Sequence, residues 1–182
     1  MARTRVIRPT LEERPPRLQL DRAERGAARE VPFMYRRILM PTDGSACAMH
    51  AIHEGLQLAK QLGSEVTFLY ALENPLTTGT ATPESLPYSA QLWEDLKQTA
   101  DEALRDAVAA AEAMGVSATA KRVDNQAPVA AIAAVAEDHD MVVMGTHGRR
   151  GFNRWMFGSV AEGALRRATK PFLLVRMDES EG

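Results

Sequence analysis

Apolar and polar residues follow two alternating patterns between residues 34 and 177, one typical of buried strands and the other of amphipathic helices. Short apolar runs predict five strands, at 36–41, 66–71, 116–123, 141–144 and 171–176. Apolar residues at steps of three and four predict four helices between them, at 45–63, 93–115, from Pro128 onward and at 159–168. Strands that alternate with helices favour a parallel sheet covered on both faces, with right-handed crossovers. The expected fold is a single α/β domain.

Three segments lie outside this regular pattern. Residues 1–33 are rich in Arg, Glu and Pro and carry few large apolar groups, so they cannot bury enough surface to offset chain entropy. We expect them to form a disordered extension, with Met34 as a candidate functional start, followed by a domain at 34–177 and a tail at 178–182. The stretch 73–87 is dense in Thr and Pro, and its length predicts a lid or a surface insertion.

The formal net charge of −2 divides unevenly along the chain. Residues 1–34 hold eight Arg and five acidic residues, whereas residues 35–182 hold 14 basic and 19 acidic residues. A nucleic-acid-binding domain is normally basic, so the acidic domain disfavours that partner. The acidic residues scattered among the N-terminal arginines favour a solvated tail over an anchor for RNA or acidic lipid.

Cysteine content and hydropathy indicate the compartment. Cys47 is the single cysteine, so the chain cannot form an internal disulfide or a thiolate zinc site. The longest apolar run, 127–136, has ten residues, which is too short for a transmembrane helix. The N-terminus lacks the apolar segment that signal peptides contain. We therefore expect a cytoplasmic protein without a membrane partner.

Small and polar residues follow the first and fourth predicted strands. Open parallel sheets bind ligands beyond the carboxyl ends of their strands where the strand order reverses, and in a sheet of order 3-2-1-4-5 that point lies between these two strands. Gly145 and Gly148 would let a ligand approach the backbone, and Gly158 and Ser159 open a helix whose N–H groups suit a phosphate. The chain thus supplies a phosphate cradle in two pieces, although it has neither a Walker A sequence nor the GxGxxG fingerprint.

Charged and ionisable residues accompany these glycines. Asp43 is open to three interpretations: a contact to sugar hydroxyls or a metal, a helix cap or Asx turn, or the acceptor of an aspartyl-phosphate receiver domain, for which its neighbours supply no further acid. His147 is either a general acid or phosphate donor, or a hydrogen-bonding loop residue. Arg149 or Arg150 would neutralise phosphate charge.

Other candidate residues favour structural roles. Cys47, His50 and His53 recur at three-residue spacing, but a step of six residues turns a helix too far for three ligands to converge on one metal. Trp155 and Phe157, in the glycine-containing loop, are either buried or cover the site.

The spacing Gly145-x2-Gly148-x9-Gly158-Ser159 resembles the ATP-binding signature of the universal stress protein family. The resemblance extends over residues 34–177. Stretches 37–45, 141–148, 158–162 and 170–175 are similar to the family's first strand and turn, its fourth strand and loop, its closing helix and its last strand. This resemblance implies a three-layer α/β sandwich of the adenine nucleotide alpha hydrolase-like class, with a five-stranded parallel sheet of order 3-2-1-4-5.

The resemblance also implies a ligand, ATP with Mg²⁺, and the residues that hold it. Asp43 would contact the ribose. The adenosine pocket would be lined by Pro41, Thr42, Ala71 and Met144, and the phosphates would be held by Gly145, His147, Gly148, Arg149, Gly158, Ser159 and Val160. The family often has Val where Ala71 stands, so we expect a looser apolar wall here.

A regulatory function follows from the same resemblance. It implies a stress-response regulator or sensor with at most slow ATP hydrolysis, because the cradle has no evident base for an attacking water. Family members commonly dimerise, and the apolar last strand at 171–176 is suited to pair with its copy across a two-fold axis. The alternatives are an interaction module that does not depend on nucleotide turnover, and a nucleotide hydrolase or transferase with real turnover.

Overall fold

A five-stranded parallel sheet forms the centre of the fold. The computed structural model describes residues 35–74, 89–148 and 158–177. The strands lie in the order β3-β2-β1-β4-β5, and their bounds are β1 (Arg37–Pro41), β2 (Glu65–Leu72), β3 (Ala118–Asp124), β4 (Met141–Gly145) and β5 (Phe172–Val175). All four pairings between neighbouring strands are parallel. This arrangement confirms the predicted fold class and strand order.

Helices cover both faces of the sheet. In the described part of the chain they are α1 (Ala46–Leu62), α2 (Ser89–Met114), α3 (Pro128–Ala136) and α4 (Ser159–Arg167). Successive side chains of a strand point to opposite faces. Ile38 and Met40 of β1 therefore join the core beneath α1 and α2, whereas Leu39 joins the core beneath α3 and α4. All three side chains are fully buried, so the three layers share one tightly packed central strand.

The helices begin and end at the residues from which the sequence predicts their ends. Ser45 is the N-cap of α1, and its Oγ accepts the N–H of Ala48 at 3.2 Å. Gly63 ends α1 with a φ of 67°, a left-handed conformation that side chains disfavour. Pro128 occupies the first turn of α3, where its missing N–H costs no helical hydrogen bond.

The strand β3 begins at residue 118 and not at the predicted residue 116, because residue 116 is bonded to the end of α2. Gly115 takes a φ of 71°, and the N–H of Val116 donates to the carbonyl of Ala111 at 2.9 Å. Val116 is therefore buried as part of the helix end and not as a strand residue. At the other end of the chain, β5 begins after Pro171 and is one residue shorter at each end than predicted.

Several predicted features lie outside the described residues. They are the extension at 1–33, most of the stretch at 73–87, the tail at 178–182, and the loop residues Arg149, Arg150, Trp155 and Phe157. Of the helices that the structure describes, none has the length and apolar character needed to cross a membrane.

Candidate functional site

The turn between β1 and α1 holds Asp43 in a fixed position. The N–H of Thr42 donates to the carbonyl of Leu69 on β2 at 2.8 Å, which continues the sheet one residue past β1. Oδ1 of Asp43 accepts the N–H of Ser45 at 3.0 Å, and Gly44 between them takes a φ of 76°. Asp43 therefore forms an Asx turn, one of the interpretations that its sequence position left open.

Thr146 fixes the loop that follows β4. Its N–H donates to the carbonyl of Val175 on β5 at 3.0 Å, and its carbonyl accepts the N–H of Gly158 at 2.8 Å. Its Oγ1 lies 3.0 Å from Nδ1 of His147. Because Thr146 is 2% exposed and bonded through all three polar groups, it joins β4, β5 and the start of α4 at one point.

Two glycines bring these loops into contact. A Cβ on Gly148 would lie 2.5 Å from Oδ2 of Asp43, and a Cβ on Gly158 would lie 3.2 Å from the carbonyl oxygen of Thr146. Neither glycine has a positive φ, so backbone conformation alone would permit a side chain at either position. Space is limited instead: a side chain on Gly148 would displace the Asp43 carboxylate, and one on Gly158 would crowd the backbone of Thr146.

Helix α4 begins beside this contact. Its N-cap is Gly158, which has no side chain to accept the N–H groups of the first turn. The first turn, with Ser159 and Val160, therefore offers N–H groups without intrahelical partners at the positive end of the helix dipole, a combination that binds phosphate. Glu162 in the same turn is paired with Arg166 at 2.9 Å, which balances part of its charge.

The charges at this edge of the sheet select a particular kind of ligand. Asp43 would repel a polyanion that lay directly against it, while the N-terminus of α4 attracts one. A ligand fits both groups if it presents hydroxyls to the carboxylate and negative charge to the helix. A sugar phosphate has this distribution of groups.

The chain matches the model of the universal stress protein family over residues 34–176. It belongs to the universal stress protein family. A universal stress protein of Methanocaldococcus jannaschii is 31% identical over 150 residues, which cover 81% of this chain and 86% of the relative.

Two solved structures share the fold at lower identity. One is a universal stress protein in complex with cAMP, with a TM-score of 0.57 and 22% identity over 80% of this chain and 99% of that chain. The other is the universal stress protein from Archaeoglobus fulgidus in complex with dAMP, with a TM-score of 0.56 and 22% identity over 78% of this chain and 98% of that chain.

In this universal stress protein, the described residues that the sequence assigns to the phosphates lie together, and Arg149 is outside the described part of the chain. Gly145 ends β4, and Gly148 packs against Asp43. A Cβ on Gly158 would lie 3.5 Å from Cα of His147, so the two halves of the glycine spacing touch, although nine residues separate them in sequence. Ser159 and Val160 follow as the first residues of α4.

The residues expected around the adenosine lie at the ends of β1, β2 and β4. Pro41 and Thr42 are buried at the end of β1, and the parallel register pairs Pro41 with Leu69, two residues before Ala71 on β2. Ala71 is half-buried. Met144 is 7% exposed and belongs to the core beneath α3 and α4.

Three residues at this edge received no role from the sequence. They are Tyr70, whose Oη donates to the carbonyl of Asp43 at 3.4 Å; Cys47, whose Sγ would lie 2.9 Å from a Cβ on Gly145; and Thr146. A hydroxyl at the end of a buried strand signals a required hydrogen bond, and this signal would have indicated Thr146. Tyr70 and Cys47 carry no comparable signal, because both also fit an apolar core.

A cavity of about 190 Å³ borders Gly44 between α1 and α2. Glu102 and Asp106 line it, and their carboxylates would repel a phosphate. Among the residues that the structure describes, no three His, Cys, Asp or Glu side chains converge as a metal site would require. The loops after β1 and β4, and not this cavity, are the candidate site.

At the outer edge of the sheet, Arg122 ties β3 to α2. Its guanidinium bonds Asp124 at 2.9 Å and also bonds Asp101 on α2. The hydrogen bond to Asp124, followed by the one to Asp101, raises the pKa of Arg122 above its ordinary value, despite partial burial. This cluster holds an edge strand in place and lies outside the candidate site.

Proposed function

We propose that this universal stress protein binds an adenine nucleotide, ATP with Mg²⁺, at the carboxyl ends of β1, β2 and β4. The observation that carries the proposal is the contact between Oδ2 of Asp43 and Gly148 beside the N-terminus of α4, since it joins a sugar-binding carboxylate to a phosphate-binding helix end. The two solved neighbours in complex with cAMP and dAMP support an adenine nucleotide as the ligand class.

The phosphates would lie on the glycine loop. They would be bound by backbone N–H groups of Gly145 and Gly148 and of the first turn of α4, by the hydroxyl of Ser159 and by the imidazole of His147. Arg149 would add a positive charge. Mg²⁺ would take its ligands mainly from phosphate oxygens and water, which is its usual mode of binding.

The adenosine would lie over the ends of β1 and β2. Oδ1 of Asp43 accepts the N–H of Ser45, and the carboxylate would also accept from a ribose hydroxyl. Pro41, Thr42, Ala71 and Met144 would surround the base.

The role we propose is that of a cytoplasmic stress-response regulator or sensor, with hydrolysis that is slow at most. Fast phosphoryl transfer requires a residue that orients the attacking nucleophile. Among the described residues, Asp43 and His147 are ionisable side chains beside these loops, and both are hydrogen-bonded within them, to Ser45 and Thr146. Binding without rapid turnover suits a protein that reports nucleotide levels.

Binding of a fluorescent ATP analogue at equilibrium tests the proposal. Gly148→Val and Gly158→Val should each weaken binding at least tenfold, because each adds a branched side chain where a single Cβ already lies 2.5 or 3.2 Å from a neighbouring oxygen. Gly63→Val is the matched control: a Cβ there has nothing within 4 Å, so it should lower stability through its φ of 67° and leave binding unchanged. A parent protein that binds no adenine nucleotide would overturn the proposal.

We also propose a homodimer that pairs β5 with its copy. β5 is paired to β4 on one side and is an edge of the sheet on the other. Its four residues are apolar and half-buried, and Leu165 on the neighbouring α4 is 45% exposed. An apolar edge strand that pairs with its copy is protected from aggregation. This observation also favours the second candidate function, an interaction module that acts independently of nucleotide turnover.

A further inference from the structure

The proposed ligand would extend along the edge of the sheet in one direction. Its phosphates would bind at the N-terminus of α4 beside β4, and its ribose would bind at Asp43 after β1. The strand order continues from β1 to β2 and then to β3, and neighbouring strands lie about 4.8 Å apart. A base that extends away from the phosphates would therefore cross the end of β2 and reach the end of β3.

The turn after β3 is fastened to the end of β2 by two hydrogen bonds. The N–H of Gln126 donates to the carbonyl of the last residue of β2 at 3.2 Å, and Nδ2 of Asn74 donates to Oδ1 of Asn125 at 3.1 Å. Just before this turn, Ala71 and Val123 are paired across the two strands, and both are half-buried. The ends of β2 and β3 thus combine partly exposed apolar side chains with a side-chain amide.

Asn125 has a side chain at a position whose backbone favours glycine. Among the described residues other than glycine, it alone has a positive φ, 59°, which is a left-handed conformation that glycine adopts without steric cost. Asparagine tolerates this conformation, so the position combines a turn with an exposed amide. An amide carries a donor and an acceptor side by side, and adenine presents a matching acceptor and donor at its ring nitrogen and exocyclic amine.

We infer that Asn125 is a specificity-determining residue whose side-chain amide hydrogen-bonds the amino edge of the adenine base. Oδ1 has two lone pairs, so it can accept from the exocyclic amine as well as from Asn74, and Nδ2 would donate to the adjacent ring nitrogen. A base with a carbonyl in place of the amine presents an acceptor, which Oδ1 cannot bind. This inference rests on the proposed function, because it concerns the base of the same nucleotide.

The base preference of the full chain tests the inference, by competition against a fluorescent ATP analogue. The parent should bind ATP about tenfold more tightly than ITP, which has a carbonyl in place of the amine, or purine riboside triphosphate, which lacks the amine. Asn125→Gly accepts the positive φ and removes the amide, so it should bind all three nucleotides alike. Gln126→Ala is the matched control, because it removes the neighbouring amide and keeps the backbone hydrogen bond to β2, and it should retain the preference for ATP.

NMR of the side-chain amides tests the contact itself. The signals of Asn125, assigned by their absence from the spectrum of Asn125→Gly, should shift when adenosine is added and stay in place when inorganic triphosphate is added. A parent that binds ATP but does not prefer it to ITP would overturn the inference and leave the proposed function standing. The same holds if Asn125→Gly keeps the preference of the parent, since Asn125 would then serve only the turn. A parent that binds no adenine nucleotide would overturn both.

Discussion

Asp43 uses its two carboxylate oxygens for different tasks. Oδ1 accepts the N–H of Ser45 and holds the turn, whereas Oδ2 lies against Gly148 in the candidate site. Because the two oxygens are geometrically distinct, a substitution can alter one and keep the other. The turn and the proposed ribose contact of this residue can therefore be tested separately.

Asp43→Asn should bind ATP about tenfold more weakly and keep the hydrogen bond to Ser45. The Asn oxygen can still accept the N–H of Ser45, but the second oxygen is replaced by an amide that donates and cannot accept from a ribose hydroxyl. Tenfold is the order of effect for one hydrogen bond to a charged group. Calorimetric titration with ATP and with 2′,3′-dideoxy-ATP measures it: the parent should prefer ATP, and the variant should lose this preference.

Asp43→Ala is the companion variant, since it removes both oxygens. It should lose stability as well as affinity, because the N–H of Ser45 loses its acceptor. If Asp43→Asn keeps the full preference for ATP over the dideoxy nucleotide, Asp43 does not contact the ribose.

The sequence indicates that Asp43 and the glycines share a site, but it does not predict their contacts. Their common location follows from strand order, because the first and fourth strands are neighbours where the order reverses. The distance between Gly148 and Asp43 depends on how β1 and β4 are aligned across the sheet, and no local pattern encodes that alignment. The partners of Thr146 could not be predicted for the same reason, because Val175 and Gly158 are distant from it in sequence.

Secondary-structure elements were predictable wherever their ends carry a specific residue. α1 runs from its cap at Ser45 to Gly63, as expected. The predicted start of β3 was wrong by two residues, because the apolar side chain of Val116 suits a strand and a helix end equally well. Only the hydrogen bond from Val116 to Ala111 distinguishes the two. Element boundaries are thus encoded less by hydropathy than by caps.

The cap of α1 provides a prediction for the whole element. Ser45→Ala removes the acceptor for the N–H of Ala48 and should lower the free energy of unfolding by about 1 kcal/mol. Ser45→Asn should lose much less, because Asn also caps helices well. Urea denaturation followed by circular dichroism measures both variants. Equal destabilisation by Ala and Asn would mean that the hydroxyl does not act as a cap.

At the scale of the whole molecule, the two edges of the sheet differ. β3 is held to α2 through Arg122 and carries exposed Thr119 and Lys121, which discourage pairing with another chain. β5 carries apolar residues. The carbonyls of Pro171 and Val175 accept N–H groups from β4 and from the residue that follows it, so these two residues face β4. Because neighbouring residues of a strand point their backbone groups in opposite directions, the N–H of Leu174 faces the open edge of the sheet.

The family match over residues 34–176 supports our proposal that the domain spans 34–177.

Leu174→Pro should convert the proposed dimer into a monomer. Proline removes the N–H that faces the open edge and leaves the hydrogen bonds to β4 intact. Light scattering should give twice the chain mass for the parent and the single chain mass for the variant. Leu174→Ala is the control, because it also loses side-chain packing but keeps the N–H, and it should remain a dimer. A monomeric parent at working concentration would contradict the dimer.

The bond from Thr146 to the carbonyl of Val175 also has a consequence for synthesis of the chain. The candidate site draws on residues from Pro41 to Val160, and its loop is secured by a strand that leaves the ribosome after all of them. A nascent chain that lacks β5 has every proposed ligand-contacting residue but no partner for the N–H of Thr146. The site should therefore be completed only with the last strand, so that the proposed nucleotide binding would be a mark of a finished domain.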